Sequence, residues 1–301
     1  MKYKIAAVVV TFNRLELLKK CVESLRNQTH KLDEILIINN SSTDGTLDWL
    51  NQQNDLTVIS QENSGSAGGQ FTGIKTAYEK GYDWVWCVDT DIIFDIEALK
   101  NLLNCECFLA TSTGFLSSTI FFNDGNLSYP NVPELEKPYE ILNAVALQKS
   151  IPILSASFGS LLLNIEVIKH SGFPSKDFFI WGDDAEFTLR IIRNGFKGYL
   201  VINSKAIHEC GENHPKPFLK LDTHDLKFRY GVRNMVYVAI LRNQIVYGSR
   251  LRGYLSGIAF VLRLYRDYKN YHKSFAFSYL LRCLSLFFNG VIFKPNIIKP
   301  E

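Results

Sequence analysis

Trp84-Val85-Trp86-Cys87-Val88-Asp89-Thr90-Asp91 is an apolar run that stops abruptly at two aspartates one residue apart. Its apolar side chains suit a strand covered on both faces of a sheet. Asp89 and Asp91 then fall at the strand's carboxyl end, the edge where open α/β sheets bind ligands. Two neighbouring carboxylates repel each other and lose hydration, so the pair is costly unless a cation is shared. A hard divalent ion bridging to a diphosphate would resolve the conflict. An Asp-x-Asp taken alone can also be an ordinary polar strand end.

Upstream, residues 4–12 (KIAAVVVTF) read as a first buried strand, followed by Asn13, Arg14 and a helical pattern through Leu17, Leu18, Cys21, Val22 and Leu25. Ile35 to Ile38 form a second strand running into the polar turn 39–46 (NNSSTDGT), which can cap the next helix. Thr57 to Ser60 is a shorter third strand, and the glycine-rich stretch 63–70 (NSGSAGGQ) leads into a helix through Ile74 and Ala77. Strands alternating with helices imply right-handed βαβ units and a parallel sheet. The glycines allow close backbone approach to a ligand and set a helix N-terminus near an anion. The spacing fits neither a P-loop nor a G-x-G-x-x-G turn, and each loop taken singly is equally a plain turn.

Downstream, residues 178–196 read FFIWGDDAEFTLRIIRNGF. Large apolar residues lead into a helix that starts near Asp183 and ends at Gly195. Asp183, Asp184 and Glu186 sit in its first turn, where the helix dipole favours negative charge. That alone explains the acids without catalysis. The other reading makes one carboxylate a general base that takes a proton from an attacking hydroxyl. Tyr199 to Ile202 reads as a further strand, followed by Lys205-Ala206-Ile207-His208-Glu209.

In order, VVVTFNR, INNSSTDGT, ENSGSAGGQFTGI and DTD resemble the family 2 inverting glycosyltransferases of GT-A fold, over roughly residues 4–215. The resemblance implies an α/β fold, with a mostly parallel Rossmann-like sheet flanked by helices and a nucleotide-sugar donor bound across the first half. Thr11, Asn13 and Arg14 would lie near the nucleotide, Gly68 would help bind the nucleotide-sugar, Asp91 would bind metal, and Asp89 would contact ribose or metal. Asn39 stands where the family usually has the aspartate that accepts the base N–H; its side-chain carbonyl can accept that bond, but without charge. Trp181-Gly182-Asp183-Asp184-Ala185-Glu186-Phe187 resembles the W-x-D-D-A-[D/E]-[F/Y] of some members, whose second aspartate is the base. That maps to Asp184. Asp183 would hold the acceptor, and Trp181 would give it a stacking face, ordinary core packing being the other reading.

His208 matches the position of a histidine that completes the metal shell, suiting Mn²⁺ or Mg²⁺; His214 and His224 are weaker candidates. Arg229 or Arg233 of the Tyr-x-x-Arg-Asn segment would face a diphosphate or lie on a solvated helix face. The resemblance is strongest to bacterial galactofuranosyltransferases using UDP-galactofuranose, and next to dTDP-rhamnose-dependent rhamnosyltransferases. Either would extend a surface polysaccharide on a glycan or lipid-linked acceptor. A nucleotidyltransferase or a non-catalytic carbohydrate-binding protein are rival classes. Specificity is expected from residues 110–160.

The 301 residues fit a catalytic domain, 1–225, and a helical C-terminal extension, 226–301. The six cysteines lack zinc-site spacing, and no signal peptide precedes the first strand, which points to a cytoplasmic protein. From Ile245 to Arg282 there are seven Lys or Arg and one acid, Asp267, interleaved with aromatics; Ile258, Val261, Leu262 and Tyr265 share a helix face. Such helices suit peripheral contact at the inner face of a membrane. No run reaches the ~20 apolar residues of a spanning helix. A helical layer packed on the catalytic domain, or a dimer contact, is the other reading. Nothing else in the chain supports nucleic-acid binding.

Overall fold

The computed structural model describes residues 3–136, 138–147, 149–213, 217–272 and 277–300. The first half runs β1 (Ile5–Thr11), α1 (Leu15–Arg26), β2 (Glu34–Asn39), α2 (Thr46–Leu50), β3 (Thr57–Ser60), α3 (Gly65–Glu79), β4 (Trp84–Asp89), β5 (Ile92–Phe94), α4 (Ala98–Leu103) and β6 (Thr113–Phe122). It continues with β7 (Glu134–Leu135), α5 (Pro138–Ala146), β8 (Ile151–Ser155), β9 (Ser160–Asn164), α6 (Val167–Ser171), α7 (Asp183–Arg193) and β10 (Lys197–His208). Four helices follow: α8 (Pro217–Lys220), α9 (Leu226–Tyr247), α10 (Arg250–His272) and α11 (Phe277–Ile292).

One sheet carries the strand order β3-β2-β1-β4-β9-β6-β10-β8-β7, with β5 paired to β10. The half formed by β3, β2, β1 and β4 is parallel, as the alternating pattern predicts. Beyond β4 the sheet is mixed: β9 lies antiparallel between β4 and β6, and β10 runs parallel to β6. The strand read as ending at Ile202 continues to His208 across a register shift between Val201 and Lys205. Irregular residues inside a strand break the apolar alternation by which its end is judged.

Alternate residues of β1 and β4 feed cores on opposite faces of the sheet. Ile5, Ala7, Val9, Trp84 and Trp86 pack with α1, while Ala6, Val8, Val85 and Cys87 pack with α3 and α7. The glycines of α3 set how close it comes. A Cβ on Gly69 would lie 2.3 Å from Val10, and one on Gly73 2.2 Å from Val8. At Gly69 and Gly73 the close approach is of helix to sheet, while Gly65, at the start of the helix, lines a cavity at the carboxyl edge of the sheet.

Helices α9, α10 and α11 enclose a core of their own built on Phe228, Val232, Val236, Val261 and Phe287. This unit is sewn to the sheet domain. The Phe173 N–H donates to Ile298 O at 2.8 Å, the Asn296 N–H donates to the Asp177 carboxylate at 2.7 Å, and Arg242 pairs with Glu134.

Candidate active site

A cavity of about 640 Å³ opens at the carboxyl edge of the sheet. Thr11, at the end of β1, Asp89, the last residue of β4, and Thr90 and Asp91 just after it form its floor; Trp181, just before α7, and Asp183 and Asp184 at its start wall it. His208 joins them because β10 pairs antiparallel with β5, setting His208 opposite Ile92, the residue after Asp91. The Glu209 N–H donates to Asp91 O at 2.8 Å and fixes that crossing.

The side of the cavity at Asp91 is ordered by a chain of hydrogen bonds. His208 Nε2 lies 3.5 Å from Asp91 Oδ2, and Nδ1 lies 3.0 Å from Ser128 Oγ. Ser128 donates its one proton to Asn131 Oδ1 at 2.8 Å, and Asn131 Nδ2 donates to Ser157 Oγ at 2.9 Å. Ser128 must therefore accept from Nδ1–H. In the neutral ring this leaves a lone pair on Nε2 facing a carboxylate, so the pair needs either a ring proton or a shared cation. That donor set fits Mn²⁺ or Mg²⁺. Arg14 also donates to Asp91 Oδ2. Burial opposes ionisation of Asp91, but the His208 hydrogen bond and the Arg14 charge outweigh it and lower its pKa. Burial, with the charges of Asp91 and Asp184, pushes Asp89 up to about 7. Among the described residues no three acidic, His or Cys side chains converge as a metal cage. Asp89 thus shares the cavity with Asp91 and His208 without completing a three-residue set.

Across the cavity, Asp183 and Asp184 open α7. Asp184 Oδ1 accepts the Ala185 N–H at 2.7 Å, and Ser66 Oγ donates to Asp183 at 3.5 Å. Position in a first helical turn suggests easily ionised acids; burial dominates instead and raises Asp184, while burial and the Asp184 charge raise Asp183 well above the usual range. The loop before them is contorted: Phe179, Trp181 and Gly182 have φ of 62°, 60° and 83°. Positive φ in two bulky aromatics is strained and persists only when the surroundings enforce it. Here Asn234 of α9 shares its two amide hydrogens among the carbonyls of Phe178, Ile180 and Trp181, each at 2.9 Å. Tyr230 stacks on Phe179, and Phe218 meets the edge of Trp181. Trp181 is therefore both packed and cavity-lining.

Thr11, Arg14, Asp89, Asp91, Trp181, Asp183, Asp184 and His208 are thus brought together. Asn13, Asn39 and Gly68 are not among the lining residues. Asn13 accepts the Thr43 N–H at 2.7 Å, and the buried Asn39 accepts the Ser42 N–H at 3.1 Å and donates to Ser60. Gly68 abuts Ser64, where a Cβ would come within 2.1 Å. These three shape the loops behind the cavity, and the neighbouring Asn40 faces into it. Arg233 turns away to Asp177 O and the Phe293 ring, Arg229 is exposed and His224 is an exposed turn residue; His214 lies outside the described residues. Sequence reasoning missed Gln70, Lys227, Asn131 and the Asn234 clamp. Ser66 and Gln70 carried a signal, since four residues apart they share a face of α3.

A half-parallel sheet with an Asp-x-Asp after the fourth strand, facing a second acidic pair across one cavity, is the architecture of GT-A glycosyltransferases. Solved structures agree. The chain superposes on Staphylococcus aureus TarS residues 1–349 with a TM-score of 0.61 at 16% identity, covering 96% of this chain and 81% of that one. It superposes on the mannosyltransferase PcManGT from Pyrobaculum calidifontis, in complex with GDP-Man and Mn²⁺, with a TM-score of 0.54 at 16% identity, covering 96% and 88%. The glycosyl transferase family 2 model matches residues 6–165, and the chain belongs to that family. It is 28% identical to the galactofuranosyltransferase GlfT1 of Mycobacterium tuberculosis, over 73% of this chain and 74% of that protein. It is 24% identical to the dTDP-rhamnosyl transferase RfbF of Shigella flexneri, over 81% and 82%. The chain is thus a glycosyltransferase, which decides between the enzyme classes left open above.

Proposed function

We propose that this glycosyltransferase moves galactofuranose from UDP-galactofuranose, with inversion, to a hydroxyl of a glycan or lipid-linked acceptor in bacterial surface polysaccharide synthesis. The observation that carries the reading is the half-buried Asp184 sharing one cavity with Asp91 and His208. An acceptor hydroxyl gives its proton to the Asp184 carboxylate as its oxygen bonds to the anomeric carbon, and the bond from that carbon to the diphosphate oxygen breaks with its electron pair. A pKa raised by burial makes Asp184 a stronger base than a solvated carboxylate. Asp183 orients the acceptor and Trp181 offers it an apolar face. Asp91 and His208 would hold Mn²⁺ or Mg²⁺, with Asp89 alongside; bound there, the ion would act as a Lewis acid on the leaving diphosphate. The Mn²⁺-bearing structural neighbour supports this. Arg14 would be free to turn to the diphosphate once a cation takes over its role at Asp91.

Residues 1–225 form the catalytic unit in this reading, and 226–301 supply the clamp behind it and a surface for the cytoplasmic face of a membrane. Leu251, Leu255, Ile258 and Leu262 form an exposed row on α10, flanked by Arg252, Arg263 and Arg266. Among the described residues no helix is long and apolar enough to cross a membrane. The likeness to the rhamnosyl transferase keeps dTDP-rhamnose as the second donor. A heat-shift screen with Mn²⁺ or EDTA tests the donor: UDP-galactofuranose, UDP, dTDP-rhamnose and dTDP. A metal-dependent rise with uridine nucleotides is expected, a ligand at ~100 times its Kd adding about 2.7 kcal/mol. A rise with thymidine nucleotides alone would move the assignment to rhamnose, and no rise with any would overturn the donor site.

A further inference from the structure

Gln70 lies in the cavity wall, 1% exposed, and neither its Oε1 nor its Nε2 has a hydrogen-bond partner among the described residues. The Thr11 hydroxyl, also 1% exposed and in the same wall, is likewise unpartnered. Buried polar groups are nearly always satisfied, so two such side chains lining one cavity point to a ligand that satisfies them. Gln70 is rigidly presented. It sits in α3 beside Gly69, whose missing Cβ lets the helix lie against Val10 of β1. One turn earlier, Ser66 reaches Asp183. Gln70 therefore shares the cavity with Thr11 and the acidic pair of α7.

The atoms select the ligand chemistry. A diphosphate has only acceptors; it would take the Nε2 hydrogens and leave Oε1 unmatched. A metal ion would take Oε1 and leave the hydrogens. Adjacent hydroxyls both donate and accept, and they match a carboxamide and a threonine hydroxyl together. We infer that Gln70, with Thr11, reads vicinal hydroxyls of the donor sugar and is a specificity-determining residue of this enzyme. This rests on the donor-site reading proposed above. A site whose buried polar groups are completed by substrate hydroxyls rejects a ligand lacking them, because its groups are then left unpaired.

The test compares the wild type with Gln70→Leu, which removes both polar atoms at similar bulk, in the presence of Mn²⁺ and without acceptor. Calorimetric titration gives Kd for UDP, UDP-galactofuranose, dTDP and dTDP-rhamnose. The expected result is that Kd for the sugar nucleotide the wild type binds rises about ten- to a hundredfold, while Kd for the matching bare nucleotide moves less than about twofold. The ligand-free variant should melt no lower than the wild type, since an unsatisfied buried amide has been replaced by an apolar group; a purely structural glutamine would give a lower melting temperature. If Leu fails to fold, Gln70→Met serves, being unbranched and of matching length. Equal weakening of sugar nucleotide and bare nucleotide, or no change in either, overturns the inference while leaving the donor site intact. A wild type that binds none of the four overturns the donor-site reading and this inference with it.

Discussion

His208 Nε2 stands 3.5 Å from Asp91 Oδ2 because its other ring nitrogen is tied to Ser128 Oγ at 3.0 Å. The tie decides which nitrogen faces the carboxylate. Ser128 is fully buried and spends its proton on Asn131, so it acts on the ring only as an acceptor. Ser128→Ala removes that acceptor without touching the cavity floor. Outer-shell partners of metal-ligating histidines typically carry 10–100-fold in metal affinity or activity. Manganese titration of the variant should show a loss of that size with the fold retained. Unchanged affinity would mean that the ring is oriented by packing alone or takes no part in holding metal.

Asp184→Asn should lower kcat by about 10²–10⁴-fold, the usual worth of a general base, with donor affinity kept. Turnover within tenfold of the wild type would remove Asp184 from the chemistry.

The same carboxylate predicts a pH profile. Burial raises its pKa, so the base form is lost as pH falls through a value above the ordinary carboxylate value of about 4. The acid limb of kcat against pH should therefore lie above that value and vanish in Asp184→Asn. A rate still flat on acidification to pH 4 would contradict a buried base.

Asn234 is a clear case of what a sequence does and does not disclose. The apolar run 84–88 fixed the central strand, and the turn at Asn39 and the glycines after Thr57 marked the parallel half, because each is a local signal. The Asp-x-Asp is legible for the same reason, whereas Asp184 and His208 stand out only through the family resemblance, since a first-turn acid and a lone histidine are locally ordinary. In the segment Tyr230-Gly231-Val232-Arg233-Asn234 the arginine carries the sequence signal, since charge suggests a phosphate ligand. In the structure Arg233 turns to Phe293, and the neutral Asn234 holds the strained loop before Asp183 from more than fifty residues away in sequence. Nothing local predicts that contact, just as nothing local predicts β9 between β4 and β6. Asn234→Leu should leave three carbonyls without their donor and cost about 2–4 kcal/mol of stability. It should also lower kcat more than UDP affinity if, as proposed, the loop presents the acceptor. A variant with wild-type melting and kcat would show that the aromatic stacking suffices.

The surface of α10 carries the last prediction. Leu251, Leu255, Ile258 and Leu262 recur at intervals of four, three and four residues, which places them in one row along the helix, and Leu255 and Leu262 are 58% and 54% exposed. Arg252, Arg263 and Arg266 are exposed beside that row, and Asp267, the acid nearby, is already paired with Arg266. A core-facing stripe would be covered, and a contiguous apolar row edged by basic residues is more than scattered surface leucines. On the proposed reading an anionic lipid surface would answer both features: the leucines would enter the headgroup boundary, and each basic side chain near the surface would add about 1 kcal/mol. The 301-residue chain should therefore sediment with vesicles containing anionic lipid and far less with neutral ones, the difference shrinking in high salt as charges are screened. Leu255→Glu with Leu262→Glu should abolish sedimentation while turnover on a water-soluble acceptor stays unchanged, since neither residue lines the cavity. Sedimentation unaffected by the double variant would locate the membrane contact elsewhere, and a dimer that the double variant dissolves would make the row a subunit interface instead.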